Sequence, residues 1–407
     1  MLDCGDAMRI YLDYNATTPP AEAVVDAMSR ALYEVAGNAS SMHSFGQQAK
    51  SAIDEARTSV AALLGGEPSE VIFTGSGTEA DNLALRGAAE ALEATGRREI
   101  VVSAIEHEAV LNTARALARR GWTMTTLPVN ASGVVTPDAV RDAVSDRTAI
   151  VSVMHANNEV GTVQPVAEVA AIAHERGALM HTDAVQSAGK IPLAVKALGV
   201  DLLSISAHKF YGPKGVGALW VRRGVRLTQQ MTGGRQERNR RAGTENVPGI
   251  IGLGVAARLA TGGLGSSAAR VAALRDRLEA GILRDVPHAA LNGARDPRVP
   301  NTTNISFDAV EAESLLIALD LEGVAVSTGS ACSSGTLEPS HVLKAMGLPL
   351  HDTQNALRIS VGRHTTVAEV DAIIEALPSI VERLRTLTDR RTPQLAEAAS
   401  RASEGTA

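Results

Sequence analysis

The chain has 407 residues, 45% of them apolar but only 2% aromatic, and a formal net charge of −6. That suffices for a sizeable core of Ala, Val, Leu and Ile, and the scattered Lys and Arg argue against a dedicated nucleic-acid surface. No run approaches the roughly 20 apolar residues of a membrane span, and two cysteines without framework spacing indicate a reducing compartment and free thiols.

The N-terminal MLDCGDAMRIYLDY has early acids and no apolar signal core, so the chain reads as cytoplasmic. Met8 is a second candidate start, which would make Cys4 incidental. From residue 50 to about 220, strand-like runs alternate with helical spacing. The runs are EVIFTG (70–75), EIVVSA (99–104), TMTTLPV (123–129), AIVSVM (149–154), ALMHTD (178–183), LLSIS (202–206) and VGALWV (216–221). Ala52, Ile53, Ala56, Val60 and Leu63 mark one helix face that Gly65 and Gly66 end; Val110, Leu111, Ala114 and Leu117 mark another, stopped by Gly121. Such alternation builds an α/β fold with a mainly parallel sheet covered on both faces, and ligands collect at the carboxyl ends of its strands.

The Gly-rich 261-TGGLGSSAAR-270 reads as a boundary. Beyond it come a helix (268–284), the strand NISFDA (304–309), a helix (311–322), the short strand LRISVG (357–362) and a last helix (367–387). That order predicts a smaller α+β domain. The polar tail from about 390 reads as disordered.

Three stretches carry chemistry. The first, 74-TGSGTEADN-82, follows a strand and opens a helix, an arrangement that turns backbone amides and the helix N-terminus toward an anion. Its Gly75-x-Gly77-x-x-Ala80 spacing also fits a dinucleotide site, with Glu106 ending the next strand, but no Lys-Ser or Lys-Thr makes it a P-loop. In 178-ALMHTDAVQSAGK-190, Asp183 and Gln186 lie just past a buried strand; a helix N-cap would explain the aspartate, and the glutamine less well. In 201-DLLSISAHKFYGPKGVGALWV-221 a buried strand runs into Ser206-Ala-His208-Lys209. A lysine there could merely snorkel; buried, its amine would be depressed toward a usable nucleophile. A phosphate cradle, an aspartate for a ring nitrogen and a lysine for an aldehyde together fit pyridoxal phosphate (PLP), whereas the dinucleotide reading explains only the first.

With these pieces in place the chain resembles the cysteine desulfurases of the NifS and IscS branch of the class V aminotransferases. The likeness runs from YLDYNATTP (11–19) to SVGRHTT (360–366). Between them lie GNASSMHSFG (37–46), FTGSGTEADN (73–82), EHEAV (106–110), MHANNEVG (154–161), HTDAVQSAGK (181–190), SAHKFYGPKG (206–215), RAGTEN (241–246) and STGSAC (327–332). The resemblance implies the aspartate aminotransferase-like type I fold. It implies a large PLP-binding domain (17–262), a small domain (8–16 and 263–389) carrying the Cys loop (about 326–341), and a tail (390–407). It further implies that Lys209 binds the cofactor covalently, Asp183 pairs with the pyridine nitrogen and Gln186 lies near the ring oxygen. Gly77, Thr78, Ser206 and His208 would hold the phosphate. Thr244 would reach the neighbouring subunit's phosphate in a homodimer with shared sites. His107 would stack on the ring and serve as acid–base partner, Asn158 would face the cofactor and substrate, and Arg358 and Asn38 would bind substrate. From the residues alone, Arg358 reads as a surface arginine, His107 as a structural histidine, and Asn157 and Asn158 cannot be told apart. No histidine has metal-ligand spacing, so no metal is expected.

The implied reaction converts L-cysteine to L-alanine and leaves sulfur as a persulfide on Cys332, for delivery to an acceptor protein such as an iron–sulfur scaffold or a thiolation enzyme. The small residues around Cys332 predict a mobile loop that carries the thiol between pocket and acceptor. A selenocysteine lyase, another PLP enzyme of the same scaffold, or an inactive docking scaffold are the alternatives, and Cys332 argues against a transaminase.

Overall fold

The computed structural model describes residues 9–328 and 339–404, with side chains to residue 387. Each of the seven runs between residues 70 and 221 forms a strand: five are buried along their whole length, as strands covered on both faces are, whereas Thr123–Leu127 is largely exposed and owes its form to β-branched threonines. With Ile10–Tyr11 as β1, these are β2 (Val71–Thr74), β3 (Glu99–Ser103), β4 (Thr123–Leu127), β5 (Thr148–Ser152), β6 (Leu179–Asp183), β7 (Leu202–Ser206) and β8 (Gly217–Val221). They join in one sheet of order β2-β8-β7-β6-β5-β3-β4. All neighbours run parallel except β8, which is antiparallel to both β2 and β7. Alternate residues face opposite layers: Phe73, Val101, Val151, Leu203 and Trp220 enter one core, and Ile72, Ile100, Ile150, Leu202 and Leu219 the other.

A smaller core forms around β9 (Ala289–Leu291), β10 (Thr302–Phe307) and β12 (Ala356–Ser360), an antiparallel sheet of order β12-β10-β9. The N-terminal β1 pairs in parallel with β11 (Val324–Ala325) and brings Ile10 and Leu12 into this core. The chain thus enters through the small unit and crosses directly to the large one.

Two expectations are corrected. The helix expected over 268–284 begins much earlier: the Gly-rich 261–270 lies in the middle of a 39-residue helix, Val247–Asp285. Each interior glycine costs about 1 kcal/mol against alanine, and a Cβ at Gly262, Gly263 or Gly265 would meet nothing within 4 Å. The helix persists because both flanks are packed: Ile250, Leu253 and Ala257 in the sheet core, Leu274, Leu278 and Ile282 in the small one. We propose residue 262 as the boundary between the two units, inside this helix. By length and composition alone the helix could cross a membrane, but 56% of its apolar window is buried inside the fold, as in a core helix. The second correction concerns the tail. The last helix runs Val367–Glu404, so the backbone over 390–404 is helical, in keeping with its many Ala, Glu and Arg residues.

Candidate active site

The floor of the site is the carboxyl edge of the sheet. Asp183 ends β6, Ser206 ends β7, and Thr74 ends β2 just before the glycine turn. The helix Gly77–Leu92 starts there, capped by Ser76, whose Oγ accepts from Glu79 N at 3.1 Å. The amides of Gly77 and Thr78 are left to point out of the helix end. Gly77 is needed for closeness: a Cβ would sit 2.9 Å from Val185 Cγ2 and 3.2 Å from Ser206 Cβ. Glu79 braces the turn, accepting from Gly75 N at 2.7 Å and pairing with Arg241 Nε at 2.8 Å.

Lys209 closes a short 3₁₀ turn, Ala207–Lys209, directly after β7. Its Nζ donates to two main-chain carbonyls, Asn15 O at 2.6 Å and Ala16 O at 2.9 Å. Burial, with Arg358 nearby, lowers its pKa to about 8 despite Asp183 and Asp13. His208 shares a hydrogen bond with Thr17 Oγ1 at 3.1 Å, and burial and Lys209 lower its pKa to about 4, so the ring is neutral at pH 7. Asp183 Oδ1 accepts from Val185 N at 2.8 Å; burial raises its pKa, while His107 and Lys209 favour its charge. Gln186 Nε2 donates to Asn15 O at 3.0 Å.

Arg358 is not a surface arginine. It is 5% exposed, donates to Asp13 Oδ1 at 2.7 Å and to Asn158 O at 3.0 Å, and its Nε is buried without a partner among the described residues. The two asparagines separate cleanly. Asn157 is consumed by the local turn, its Nδ2 donating to Ile105 O and its Oδ1 accepting from Glu159 N and Val160 N. Asn158 is half-buried beside Arg358. His107 caps the helix Glu108–Ala118, its Nδ1 accepting from Ala109 N at 3.1 Å. In the neutral ring the proton therefore sits on Nε2.

Two buried carboxylates back this wall: Glu159, which sequence reasoning missed, and Glu106, which it noted only as a possible dinucleotide ligand. Glu106 takes Met154 N and Ser103 Oγ, and burial pushes its pKa up to about 8. Glu159 accepts from Ser340 Oγ at 2.6 Å, and burial raises its pKa too. His341 Nε2 meets Glu106 O at 3.0 Å. These contacts fasten residues 340–341 beside Glu106 and Glu159.

The rim is exposed. Thr78, His107 and Thr244 are open to solvent, and Asn38 closes an exposed turn by accepting from Ser40 N at 2.9 Å rather than joining the cluster. Just before 241-RAGTEN-246, Glu237, Arg238 and Asn239 have φ of 44°, 57° and 62°. Strain of about 1–3 kcal/mol per residue is held by the buried Glu237, which takes Arg57 bidentately at 2.7 and 2.8 Å and Phe73 N at 3.0 Å. Cys332, and the loop character expected of 326–341, fall largely outside the described residues.

Sequence reasoning also missed Asn15 as the hub of the floor. Besides its carbonyl, its Nδ2 donates to Asn158 O and Thr302 Oγ1 and its Oδ1 accepts from Lys190 and Asn301. Asn15 and Lys190 both lie within the stretches that carry the family resemblance, and that was the available signal.

The donor set fits PLP. It offers a depressed amine at Lys209, a buried carboxylate at Asp183 and a hydroxyl-and-amide cradle at Gly77, Thr78 and Ser206 that a Cβ would obstruct. Among the described residues no group of three or more His, Cys, Asp or Glu could hold a metal ion.

Comparison with known proteins gives a consistent picture. The family model described as "Aminotransferase class-V" matches residues 10–373. A protein of Nostoc sp. named "Cysteine desulfurase" is 49% identical over 379 residues, 93% of this chain and 94% of that one. "Cysteine desulfurase IscS" of Dictyoglomus turgidum is 48% identical over 380 residues, 93% and 96%. A solved structure described as "NIFS-LIKE PROTEIN" superposes with a TM-score of 0.87 at 38% identity, covering 93% of this chain and all of that one.

Proposed function

The chain belongs to the class V aminotransferase family, and on that premise we propose that it is a PLP-dependent cysteine desulfurase of the NifS and IscS kind. The observation that carries the reading is the meeting of a half-buried lysine with pKa about 8, the buried Asp183 and the paired Arg358 at the carboxyl edge of the sheet.

Bound PLP supplies an electrophilic aldehyde for the substrate amine and a ring that takes up the electron pair released at Cα. The residues do the rest. At pH 7 roughly a tenth of a lysine with this pKa is neutral, against well under a thousandth of a free lysine. That makes Lys209 both a competent nucleophile toward the aldehyde and, once displaced, a base for the substrate Cα proton. Asp183, whose charge His107 and Lys209 favour, would pair with the ring nitrogen and so favour its protonated state. Arg358, braced by Asp13 and Asn158 O, presents its fork to the substrate carboxylate. His107, with Nδ1 engaged, has Nε2 free to exchange a proton with the substrate thiol. Cys332 as thiolate attacks the substrate sulfur: the S–S bond forms, the Cβ–S bond breaks, and the carbon takes up protons to leave as alanine. L-cysteine and the enzyme thiol thus become L-alanine and a persulfide.

The functional partners are a second copy of the chain and a sulfur-acceptor protein, with no direct role for nucleic acid or membrane. Support for the homodimer comes from the exposed Thr244 and from Leu32, Tyr33, Met42 and Phe45, which are 62–94% exposed. Such large apolar side chains are costly in water unless covered. The cytoplasm is the compartment that suits a reactive free thiol.

Replacement of Cys332 tests the reading. Cys332→Ala keeps the cofactor's visible absorbance and loses sulfide release in the presence of reductant. Undiminished release from that variant would exclude Cys332 as the sulfur carrier.

A further inference from the structure

Lys190 is a second, half-buried amine in the floor, and nothing in the reaction above uses it. It lies four residues after Gln186, in the turns that follow β6. Its Nζ is 2.6 Å from Gln186 Oε1 and 3.0 Å from Asn15 Oδ1. No carboxylate contacts it among the described residues, and burial, with Lys209 and Arg358 nearby, lowers its pKa well below the ordinary lysine value. A half-buried amine with two amide oxygens and no counter-ion makes a poor ion pair, but it can fix the orientation of an amide.

The orientation is determined at both ends. Asn15 Nδ2 donates to a main-chain carbonyl, Asn158 O, so its Oδ1 must face Lys190, and Lys190 must donate to it. Gln186 Nε2 likewise donates to a carbonyl, Asn15 O, which leaves Oε1 facing Lys190. One N–H of Gln186 Nε2 is used by Asn15 O; the other is available.

We propose that Lys190 is a positioning residue: its amine holds the Oε1 end of Gln186, so that an N–H rather than a carbonyl oxygen is offered to the ring oxygen of bound PLP. This rests on the assignment of Gln186 to that oxygen. A donor there stabilises the oxygen as an anion and so disfavours protonation of the chromophore. Without Lys190 the amide is held only at its Nε2 end, by Asn15 O, so its orientation is less firmly fixed and the midpoint rises.

The test is a pH titration of the visible band of the PLP-loaded enzyme for wild type, Lys190→Met, Gln186→Ala and the double variant. The midpoint reports on loaded, folded enzyme only and does not move if less of it folds. Gln186→Ala and Lys190→Met should each raise the midpoint, by about 0.5–1 pH unit for one hydrogen bond. The double variant should add little to Gln186→Ala. Lys190→Gln, which keeps a polar group but is one bond shorter, is the second variant should Lys190→Met fail to fold, and should shift the midpoint the same way. A shift in Gln186→Ala with none in the Lys190 variants would overturn the proposal. No shift in Gln186→Ala would instead overturn the assignment of Gln186 itself.

Discussion

The floor and the rim of the site are built on opposite principles. On the floor, Asp183, Ser206 and Arg358 are all at most 5% exposed, and the chain around them is held by hydrogen bonds to Asn15, Asn158 and Asp13. On the rim, His107, Thr78, Thr244 and Asn38 are exposed and make one side-chain bond each or none. A floor fixed by packed strands suits a group that stays; a rim with free polar atoms suits substrate, acceptor and a second copy, which come and go. Even the strain follows this division: the left-handed run at 237–239 is locked from below by Glu237 and Arg57, so that the RAGTEN segment can stand open.

Breaking the floor should have the largest effect. Lys209→Ala is expected to abolish the visible band of the loaded enzyme and reduce desulfuration by at least about a thousandfold; an intact band in that variant would refute the assignment. Next comes the wall behind the floor. Glu106 has a folded pKa of about 8 against an ordinary 4.5, so the native state holds more protons than the unfolded chain between those values. Its stability is therefore greatest below pH 4.5 with respect to this group, and declines as pH rises through 8. Glu106→Gln should remove that slope and stabilise the protein above pH 8 by on the order of 2–4 kcal/mol, measured by denaturant unfolding across pH. An unchanged slope would show that Glu106 titrates normally.

A gentler probe sharpens the contrast at Lys209 itself. Capture of PLP by cofactor-free enzyme needs the neutral amine, so its rate should rise with pH around a midpoint near 8. A rate that keeps climbing toward the free-lysine value near 10.4 would place Lys209 in water. The smallest effect on the cofactor itself belongs to the rim. His107→Gln should leave the midpoint of the visible band within a few tenths of wild type while slowing turnover about 10²–10⁴-fold, the usual worth of an acid–base group.

The same division explains what the sequence revealed. The sheet was legible because most of its strands are short apolar or β-branched runs, and Asp183, Ser206 and Lys209 follow from the polar ends of Leu179–Asp183 and Leu202–Ser206. The long helix through Gly262, Gly263 and Gly265 was not, since local propensity opposes it and only packing at two distant flanks sustains it. Arg358 reads as surface by residue type alone; its burial depends on Asp13, 345 positions away. Asn15 and Lys190 act through main-chain carbonyls and amide oxygens, which have no residue-type signature. Likewise, nothing in the spacing of Glu106 and Glu159 announces that both would be buried.

The central claim is that sulfur leaves L-cysteine for the thiol of Cys332. Incubation of the PLP-loaded enzyme with L-cysteine in the absence of reductant, followed by peptide mass spectrometry and amino-acid analysis, tests it most directly. The account predicts alanine in amounts matching one sulfur atom added to the peptide that contains Cys332. Alanine formed with Cys332 unmodified, or sulfur found on another residue, would contradict it.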